Sequence, residues 1–296
     1  MKNYISIDIG GTAIKYGVVN ENGEIVRKNK RPTEAMEFGG PGILQKVCEI
    51  VEEYKDDFEI SGVSISTAGM IDTKNGRIFY SGPNIPNYTG IDFKKTLMDK
   101  YSLECEVEND VNCAALAEYI AGASKGTSSS LMLTIGTGIG GCAIIDGKVL
   151  HGFSNCGCEI GYMKMEGGDF QELGATSVLT KKVAARKNED PSKWSGLDIF
   201  NAAKAGDEIC IQAIDEMVDV LGKGIANICC VLNPEVVVLG GGVMAQEEYL
   251  FDKIEKKMKS YMTPPVAEHT TLKFAQNQNN AGMLGSFYNF IENHKN

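Results

Sequence analysis

Apolar residues along this chain follow two patterns: short apolar runs, which predict strands, and helical spacing, which predicts amphipathic helices. In the segment 42–54, the apolar residues at 43, 47, 50 and 51 share one face of a helix. Pro234 ends a second such segment, and a short apolar run follows it. The patterns predict strands within 4–30 and at 61–66, 103–107, 130–150 and 236–239, and helices at 42–54, 111–121, 215–232 and 281–291. Strands that alternate with helices predict an α/β architecture.

One phrase of this pattern occurs twice. Residues 5–19 (ISIDIGGTAIKYGVV) and 131–145 (LMLTIGTGIGGCAII) overlay at a constant offset, with Ile9 on Ile135 and Gly10 on Gly136. In both copies the glycines lead into apolar residues and then into a polar turn. The repeat predicts two similar halves with a boundary near residue 120.

The glycines of the second copy fit the dinucleotide fingerprint G-x-G-x-x-G, but their surroundings do not. That fingerprint requires a helix directly after the turn, whereas residues 142–147 (CAIIDG) predict a strand that ends in an Asp-Gly hairpin turn. No G-x-x-x-x-G-K-[ST] occurs either, which excludes a P-loop. A glycine turn between two strands still binds phosphate through backbone amides, and Thr12 or Thr137 would add a hydroxyl donor. The alternative is that both copies are simply tight hairpins.

Composition and charge narrow the function classes. The 296 residues fit two domains, and the chain has 43% hydrophobic residues and a net charge of −10. This charge argues against a nucleic-acid partner. We find no apolar run long enough to span a membrane and no leader segment, which predicts a cytoplasmic protein without membrane partners. The nine scattered cysteines are typical of reduced thiols.

Asp110 is the candidate catalytic base. None of the three histidines stands beside a glycine phosphate loop in the sequence, so a carboxylate is favoured over an imidazole. Asp110 lies between a predicted strand and a predicted helix, where α/β folds expose side chains that bind ligands. An Asp in this place is also a common helix cap, and the residue pattern alone leaves both explanations open.

Several motifs together resemble the ROK family of bacterial sugar kinases and repressors, within the actin and hexokinase-like superfamily. The two phosphate motifs are Ile7–Lys15 and Thr134–Gly141. Further matching segments, in family order, are Glu108-Asn109-Asp110, Glu159-Ile160-Gly161, Asn233-Pro234-Glu235, Leu239-Gly240-Gly241-Gly242 and Ala281-Gly282-Met283-Leu284-Gly285. The resemblance covers the whole chain and implies two ribonuclease-H-like α/β domains around a central cleft. The implied domains are 1–118, joined by the C-terminal helix 282–296, and 119–281.

The resemblance also implies roles for individual residues. Asp110 would be the catalytic base, and Asp8 would orient Mg²⁺ through water. ATP would be bound by Asp8, Gly10, Gly11, Thr12, Lys15, Gly136, Thr137, Gly138, Gly241 and Gly242. The sugar would be bound by Gly69, Asn84, Asn109, Asp110, Glu159, Tyr162 and Glu172. Most of these residues also have an ordinary explanation as loop or cap residues.

One departure from the family concerns zinc. ROK kinases usually carry a histidine after the Glu-Ile-Gly triplet and then a cysteine cluster, which together bind structural zinc. Here Tyr162 takes the histidine position, and the segment 163–172 contains no cysteine. Cys156 and Cys158 precede the triplet and lack further ligands nearby, so we expect no zinc. The Tyr and the missing cysteines resemble the β-glucoside kinases of the family.

Two classes of function follow from the resemblance. The first is an ATP-dependent kinase that phosphorylates the 6-hydroxyl of a glucose-like sugar. Tyr162 and a flexible segment 166–169 would leave room for a group on the anomeric oxygen, which favours a β-glucoside such as cellobiose. Glucokinase, fructokinase and N-acetylmannosamine kinase activities are the alternatives. The second class is a sugar-sensing repressor, but such proteins carry an added DNA-binding domain, whereas the first strand here begins by Tyr4. The family also implies a homodimer.

Overall fold

The computed structural model describes residues 2–295, which divide into two compact α/β units. Unit 1 contains the chain up to Gly122, the segment His151–Gly157 and the chain from Asn279 onward. Unit 2 contains Ala123–Leu150 and Cys158–Gln278. The predicted division at 118/119 and 281/282 did not anticipate that residues 151–157 belong to unit 1, because nothing in their composition distinguishes them from their neighbours.

Unit 1 is built on a five-stranded sheet with the order β3-β2-β1-β4-β7. β1 pairs antiparallel with β2 and parallel with β4, and β4 pairs parallel with β7. A separate two-stranded hairpin, β5–β6, follows β4 in the sequence. The strands are β1 (Asn3–Ile9), β2 (Ala13–Asn20), β3 (Ile25–Pro32), β4 (Ile60–Thr67), β5 (Met70–Asp72), β6 (Arg77–Tyr80) and β7 (Cys105–Asn109).

Unit 2 repeats this topology. Its five-stranded sheet has the order β10-β9-β8-β13-β14, so β8, β9 and β13 take the places of β1, β2 and β4. A small hairpin, β11–β12, is separate from the sheet. The strands are β8 (Ser129–Ile135), β9 (Ile139–Ile145), β10 (Lys148–Val149), β11 (Lys164–Met165), β12 (Gly168–Asp169), β13 (Val236–Gly240) and β14 (Thr271–Phe274).

The repeated phrase forms equivalent hairpins in the two sheets. Ile9 pairs with Ile14 across the first turn, and Ile135 pairs with Ile139 across the second. The residues after the second turn continue as β9 and end at the Asp146-Gly147 turn, where both residues have positive φ. The prediction of two related α/β halves, and the exclusion of a dinucleotide-binding helix at this place, are therefore confirmed.

The helices follow the predicted pattern where the apolar spacing is regular. Asp207 caps α7, which begins seven positions before the predicted start, and Asn233 at φ 46° ends it before Pro234. The predicted helix at 42–54 is the regular part of α1, which is interrupted at Gly39 (φ 56°). The helices are α1 (Ala35–Lys55), α2 (Phe93–Tyr101), α3 (Asp110–Ala121), α4 (Phe170–Gly174), α5 (Thr176–Lys187), α6 (Gly196–Lys204), α7 (Glu208–Leu232), α8 (Glu247–Tyr261), α9 (Pro264–His269) and α10 (Ala281–Asn293). In the part of the chain from 2 to 295, none of these is both long and apolar enough for a membrane span.

The C-terminal helix α10 packs into unit 1 through small residues. Ser6 on β1 donates to the carbonyl of Met283 at 2.6 Å, and its hydroxyl lies 3.0 Å from that of Ser286. These hydroxyls are buried and bonded to one another, so they cost little to exclude from water. A Cβ atom at Gly285 would lie 1.7 Å from the carbonyl oxygen of Cys113 on α3. Glycine at this position therefore allows α10 to contact α3 directly.

Candidate active site

Asp8 lies near the end of β1 with its carboxylate held on two sides. Ser66 at the end of β4 donates a hydrogen bond of 2.9 Å to Oδ1, and Lys15 Nζ lies 3.5 Å from Oδ2. Lys15 stands directly opposite Asp8 in the β1–β2 pairing, so the hairpin itself sets this ion pair. The Asp8 side chain is 15% exposed. A fixed, accessible carboxylate of this kind suits Mg²⁺, which typically keeps several waters and takes few protein ligands.

The turn that follows Asp8 is held by hydrogen bonds at Gly10 and is exposed at Gly11 and Thr12. Gly10 N–H donates to the Ala13 carbonyl at 3.1 Å, and Thr33 Oγ1 donates to the Gly10 carbonyl at 2.6 Å. Gly11 and Thr12 are exposed, and a Cβ atom at Gly11 would meet nothing within 4 Å. The predicted phosphate residues of the first copy thus lie on an ordered turn with free space beside it.

Asn109, and not Asp110, is the N-cap of α3. The Asn109 side-chain oxygen accepts from the N–H groups of Val111 and Asn112 at 2.9 and 3.3 Å. Its amide group donates to the Gly69 carbonyl at 3.1 Å. Asp110 is the first residue of the helix and accepts one further bond, from Val111 N–H at 3.0 Å. Helix capping therefore does not by itself account for an Asp at position 110.

The pKa of Asp110 is raised to about 6, first by burial and then by the negative charge of Asp8. Hydrogen bonds from the start of α3 act in the opposite direction but do not cancel this effect. Burial and the neighbouring charge both disfavour the ionised form, so the carboxylate takes up a proton more readily than an exposed Asp. This is the property that a general base requires near neutral pH.

The structure also places a histidine beside Glu108, the residue that precedes Asn109, and the sequence did not predict this contact. Glu108 is buried, and its Oε2 lies 2.7 Å from His151 Nε2. His151 belongs to unit 1, although the residues before and after its segment belong to unit 2. No spacing rule links positions 108 and 151, so only the tertiary structure identifies this contact.

Two further predicted sugar residues lie on the loops of unit 1. Gly69 adopts φ 107°, a conformation that favours glycine, and its carbonyl accepts from Asn109. Asn84 is exposed in the segment between β6 and α2. The structure therefore brings Gly69 and Asn109 into contact and leaves Asn84 on a solvent-facing loop.

In unit 2, the turn between β8 and β9 carries the second predicted phosphate motif. Gly136 N–H donates to the Gly138 carbonyl at 2.9 Å, which closes the turn. Thr176 N–H and Ser177 Oγ, at the start of α5, donate to the carbonyls of Gly136 and Thr137 at 2.9 and 2.6 Å. Gly138 does not adopt positive φ, and a Cβ atom there would lie 2.7 Å from Gln171 Oε1.

A pocket of about 650 Å³ opens beside this turn. Its lining includes Gly136, Thr137 and Gly242, residues that the sequence assigned to nucleotide binding. Thr176 also lines the pocket, and its buried Oγ1 has no hydrogen-bond partner. Because a buried hydroxyl without a partner is costly, this atom suits a polar ligand. Size, glycine turn and unpaired hydroxyl together fit a nucleotide.

Two adjacent glycines near this pocket have different surroundings. Gly241 has φ 105°, and a Cβ there would lie 2.2 Å from the Ile135 carbonyl oxygen. A Cβ at Gly242 would meet nothing within 4 Å. Gly241 is therefore required by the fold, whereas Gly242 borders open space in the pocket.

The remaining predicted sugar residues are on the loops of unit 2. Tyr162 ends a short 3₁₀ turn that begins after Glu159, and it is 54% exposed. Glu172 Oε2 accepts from Asp169 N–H at 3.1 Å, in a capping box at the start of α4. The segment 166–169, which was predicted to be flexible, instead forms the turn and the second strand of the hairpin β11–β12. A Lys164–Asp169 ion pair joins the two strands. The prediction was wrong there because two glycines at positive φ, 167 and 168, form a turn.

No zinc ligand set is found in the part of the chain that the structure covers. Between residues 2 and 295, no group of three or more His, Cys, Asp or Glu side chains could hold a metal ion. The Cys156 Sγ instead lies 3.5 Å from the Met70 Sδ in unit 1, while Cys158 belongs to unit 2.

Comparison with known proteins matches this chain to one family, both by sequence and by structure. The ROK family model matches residues 4–293. A β-glucoside kinase of Listeria monocytogenes is 29% identical over 97% of each chain. Among solved structures, a putative N-acetylmannosamine kinase from Listeria monocytogenes has a TM-score of 0.89 at 28% identity, over 99% of this chain and 100% of that one.

A second solved structure adds a bound nucleotide analogue. It is a ROK family glucokinase from Streptomyces griseus in complex with glucose and AMPPNP. Its TM-score is 0.83 at 27% identity, over 96% of this chain and 97% of that one. Since the family model matches residues 4–293, which is nearly all of this sequence, this chain belongs to the ROK family.

Proposed function

We propose that this protein is an ATP-dependent kinase that transfers the γ-phosphoryl group to the 6-hydroxyl of a glucose-like sugar. The observation that carries the proposal is Asp110, a carboxylate with a pKa near 6 at the junction of β7 and α3. At neutral pH this group is ionised and still basic enough to accept a proton from a hydroxyl.

In the proposed reaction, Asp110 accepts the proton of the sugar hydroxyl as the hydroxyl oxygen bonds to the γ-phosphorus. The bond between the γ-phosphorus and the bridging oxygen breaks, and ADP leaves. Such transfers need positioning and charge neutralisation more than covalent chemistry. The cap interactions of Asn109 hold the start of α3, so they fix the position of the adjacent base.

Asp8 is the residue that would hold Mg²⁺, through water. Its carboxylate is fixed by Ser66 and Lys15, and it is close enough to Asp110 for its negative charge to raise the pKa of that residue. When bound, Mg²⁺ supplies positive charge to the phosphate oxygens. Lys15, which is partly exposed, would add a second positive charge on the same side of the hairpin.

The pocket of unit 2 would hold the nucleotide. Backbone N–H groups of the turn at Gly136–Gly138 would bind phosphate, and Thr176 Oγ1 offers an unpaired hydroxyl. The open space beside Gly242 would accept the adenosine. The AMPPNP bound by the related glucokinase supports ATP as the phosphoryl donor.

For the sugar, we infer a β-glucoside such as cellobiose. By the family resemblance, Tyr162 takes the position of the histidine ligand of zinc-binding members, and its exposed ring would offer an apolar surface for a group on the anomeric oxygen. The related β-glucoside kinase supports this substrate. Free glucose is the second candidate, since the related glucokinase binds it. A homodimer, as the family resemblance implies, completes the proposal, and light scattering measures the assembly directly.

The test is a panel of kcat/KM values with coupled detection of ADP. The panel contains cellobiose, an aryl β-glucoside, glucose, fructose and N-acetylmannosamine, with 6-deoxyglucose as the control that lacks the acceptor hydroxyl. We expect β-glucosides to react at least as efficiently as glucose and 6-deoxyglucose not to react. In Tyr162→Ala, the preference for β-glucosides over glucose should fall about tenfold, because the ring contact is lost. Strong preference for glucose or fructose without turnover of cellobiose would contradict the β-glucoside proposal.

A further inference from the structure

A buried carboxylate, that of Glu108, directly precedes Asn109 and Asp110 in the sequence. Glu108, on β7, is 1% exposed, and its Oε1 accepts from the backbone N–H of Asn109 at 2.7 Å. The same oxygen accepts from Asn112 Nδ2, one turn into α3, at 2.9 Å. Glu108 therefore bonds to residues on both sides of Asp110, and its position is coupled to that of the base.

The second oxygen of Glu108 faces His151. The distance from Glu108 Oε2 to His151 Nε2 is 2.7 Å, and the His151 side chain is 31% exposed. A buried carboxylate is stable only when its oxygens are paired, and breaking such a pair is costly. His151 is thus the group that holds the far side of this carboxylate in place.

His151 lies on a closed loop of unit 1. Its carbonyl accepts from the N–H of Gly157 at 2.8 Å, which joins the two ends of the segment 151–157. Near the end of that loop, Cys156 Sγ lies 3.5 Å from Met70 Sδ. Met70 directly follows Gly69, whose carbonyl accepts from the Asn109 side chain. The loop therefore makes two contacts near Asn109. His151 contacts Glu108, which bonds to the Asn109 backbone, and Cys156 contacts Met70, the neighbour of Gly69, which bonds to the Asn109 side chain.

We propose that His151 is a positioning residue: by binding Glu108 it aligns Asn109 and Asp110 for proton removal from the sugar hydroxyl. This inference rests on the proposed kinase function, in which Asp110 is the base. The competing explanation is that the pair only stabilises the fold. The two differ in kinetics, because a misaligned base slows turnover in a protein that is fully folded.

The test compares three histidine variants of the full chain, assayed well below their melting temperatures. His151→Ala removes the contact, and His151→Gln keeps an N–H donor close to the position of Nε2. His294→Ala is the matched control, because His294 also pairs with carboxylates of the β7 region, those of Glu104 and Glu106 at 3.2 and 3.4 Å. Neither of these carboxylates adjoins Asp110 in sequence.

We expect His151→Ala to lower kcat by about 10–100-fold while the KM for ATP changes by less than about twofold. His151→Gln should recover most of the lost turnover, and His294→Ala should keep the wild-type kcat. The inference is overturned if kcat of His151→Ala stays within about twofold of wild type, if His294→Ala loses as much, or if His151→Gln is no faster than His151→Ala. If His151→Ala does not fold, a His151→Gln variant with wild-type turnover supports the inference and a slow one overturns it.

A double-variant cycle tests whether Glu108 and His151 act through one contact. Glu108→Gln combined with His151→Ala should be no slower than the slower single variant, since both remove the same interaction. Multiplied losses would overturn the inference. Asp110→Asn serves as the reference: if it keeps wild-type turnover, the proposed function fails. If Asp110→Asn is inactive and His151→Ala is normal, only the role of His151 fails.

Discussion

Gly282 leaves the space that the carboxylate of Asp8 occupies. A Cβ atom at position 282 would lie 2.3 Å from both Cγ and Oδ1 of Asp8. Gly282 is the second residue of α10, so the start of the C-terminal helix adjoins the end of β1. A residue near the end of the chain thereby determines where the predicted Mg²⁺-orienting carboxylate lies.

Gly282→Ala should therefore reduce activity more than stability. The added methyl group displaces the Asp8 carboxylate from Ser66 and Lys15, and we expect kcat to fall about tenfold or more. The free energy of unfolding should change little, because alanine is favoured over glycine in a helix by about 0.5–1 kcal/mol, which offsets the contact. Steady-state kinetics with a Mg²⁺ titration, together with denaturant unfolding, measure both effects. Gly285→Ala is the contrasting variant: its Cβ would meet the backbone of Cys113, so it should lose stability first. Equal losses of stability in both variants would contradict the special role of position 282.

The pH profile should report the raised pKa of Asp110. Burial and the Asp8 charge raise this pKa to about 6, and only the ionised form accepts a proton. The value of kcat/KM should be constant above about pH 7 and fall roughly tenfold per pH unit below about pH 6, as expected for one base in the free enzyme. Initial rates between pH 4.5 and 9, in buffers of constant ionic strength, measure the profile. An unchanged rate at pH 4.5 would show that Asp110 is not the base.

Asp110→Asn should be inactive and more stable. Turnover should fall by about 10²–10⁴-fold, because the amide cannot accept the proton. The folded pKa of Asp110 lies above the unfolded value, so wild-type stability decreases as pH rises through about 6. The variant avoids this loss and should gain about 1–3 kcal/mol at pH 7.5. Urea unfolding at pH 7.5 and at pH 4 measures the gain, which should shrink at the lower pH. A gain that is independent of pH would contradict the electrostatic explanation.

Gly242→Val and Gly241→Ala should separate nucleotide binding from folding. A valine at 242 enters open space in the pocket of unit 2, so the KM for ATP should rise about tenfold or more while the melting temperature stays near wild type. An alanine at 241 meets the Ile135 backbone at positive φ and should cost about 1–3 kcal/mol of stability. Nucleotide titration and thermal unfolding of both variants provide the comparison. A Gly242→Val protein with unchanged nucleotide affinity would exclude this pocket as the ATP site.

Removal of metals should leave an enzyme that needs only added Mg²⁺. The family resemblance aligns Tyr162 with the histidine ligand of zinc-binding members, and the described residues offer no set of three metal-binding side chains. After washing with a chelator, elemental analysis should find no stoichiometric zinc, and Mg²⁺ alone should restore turnover. Zinc at one ion per chain that tracks with activity would redirect attention to Cys156 and Cys158.

The fold and the principal candidates could be predicted from local sequence. Strand and helix periods and the turn chemistry of glycine depend on neighbouring residues, so a repeated phrase such as Ile9-Gly10 and Ile135-Gly136 predicts two equivalent hairpins. The place of Asp110 between a strand and a helix likewise made it a candidate base, and the family resemblance favoured that role over a helix cap. The hairpin that includes 166–169 was not predicted, because a Gly-Gly pair fits both a flexible loop and a tight hairpin.

What the sequence by itself determined is therefore the architecture, together with a set of candidate site residues. Only the tertiary structure decided which groups surround them: His151 against Glu108, Gly282 against Asp8, and the unpaired Thr176 hydroxyl in the pocket of unit 2. It also assigned the helix cap to Asn109, which leaves Asp110 available as a base. The physical reason is that strand and helix formation are governed by short-range periodicity, whereas the pKa and orientation of a carboxylate depend on atoms that folding brings from distant parts of the chain.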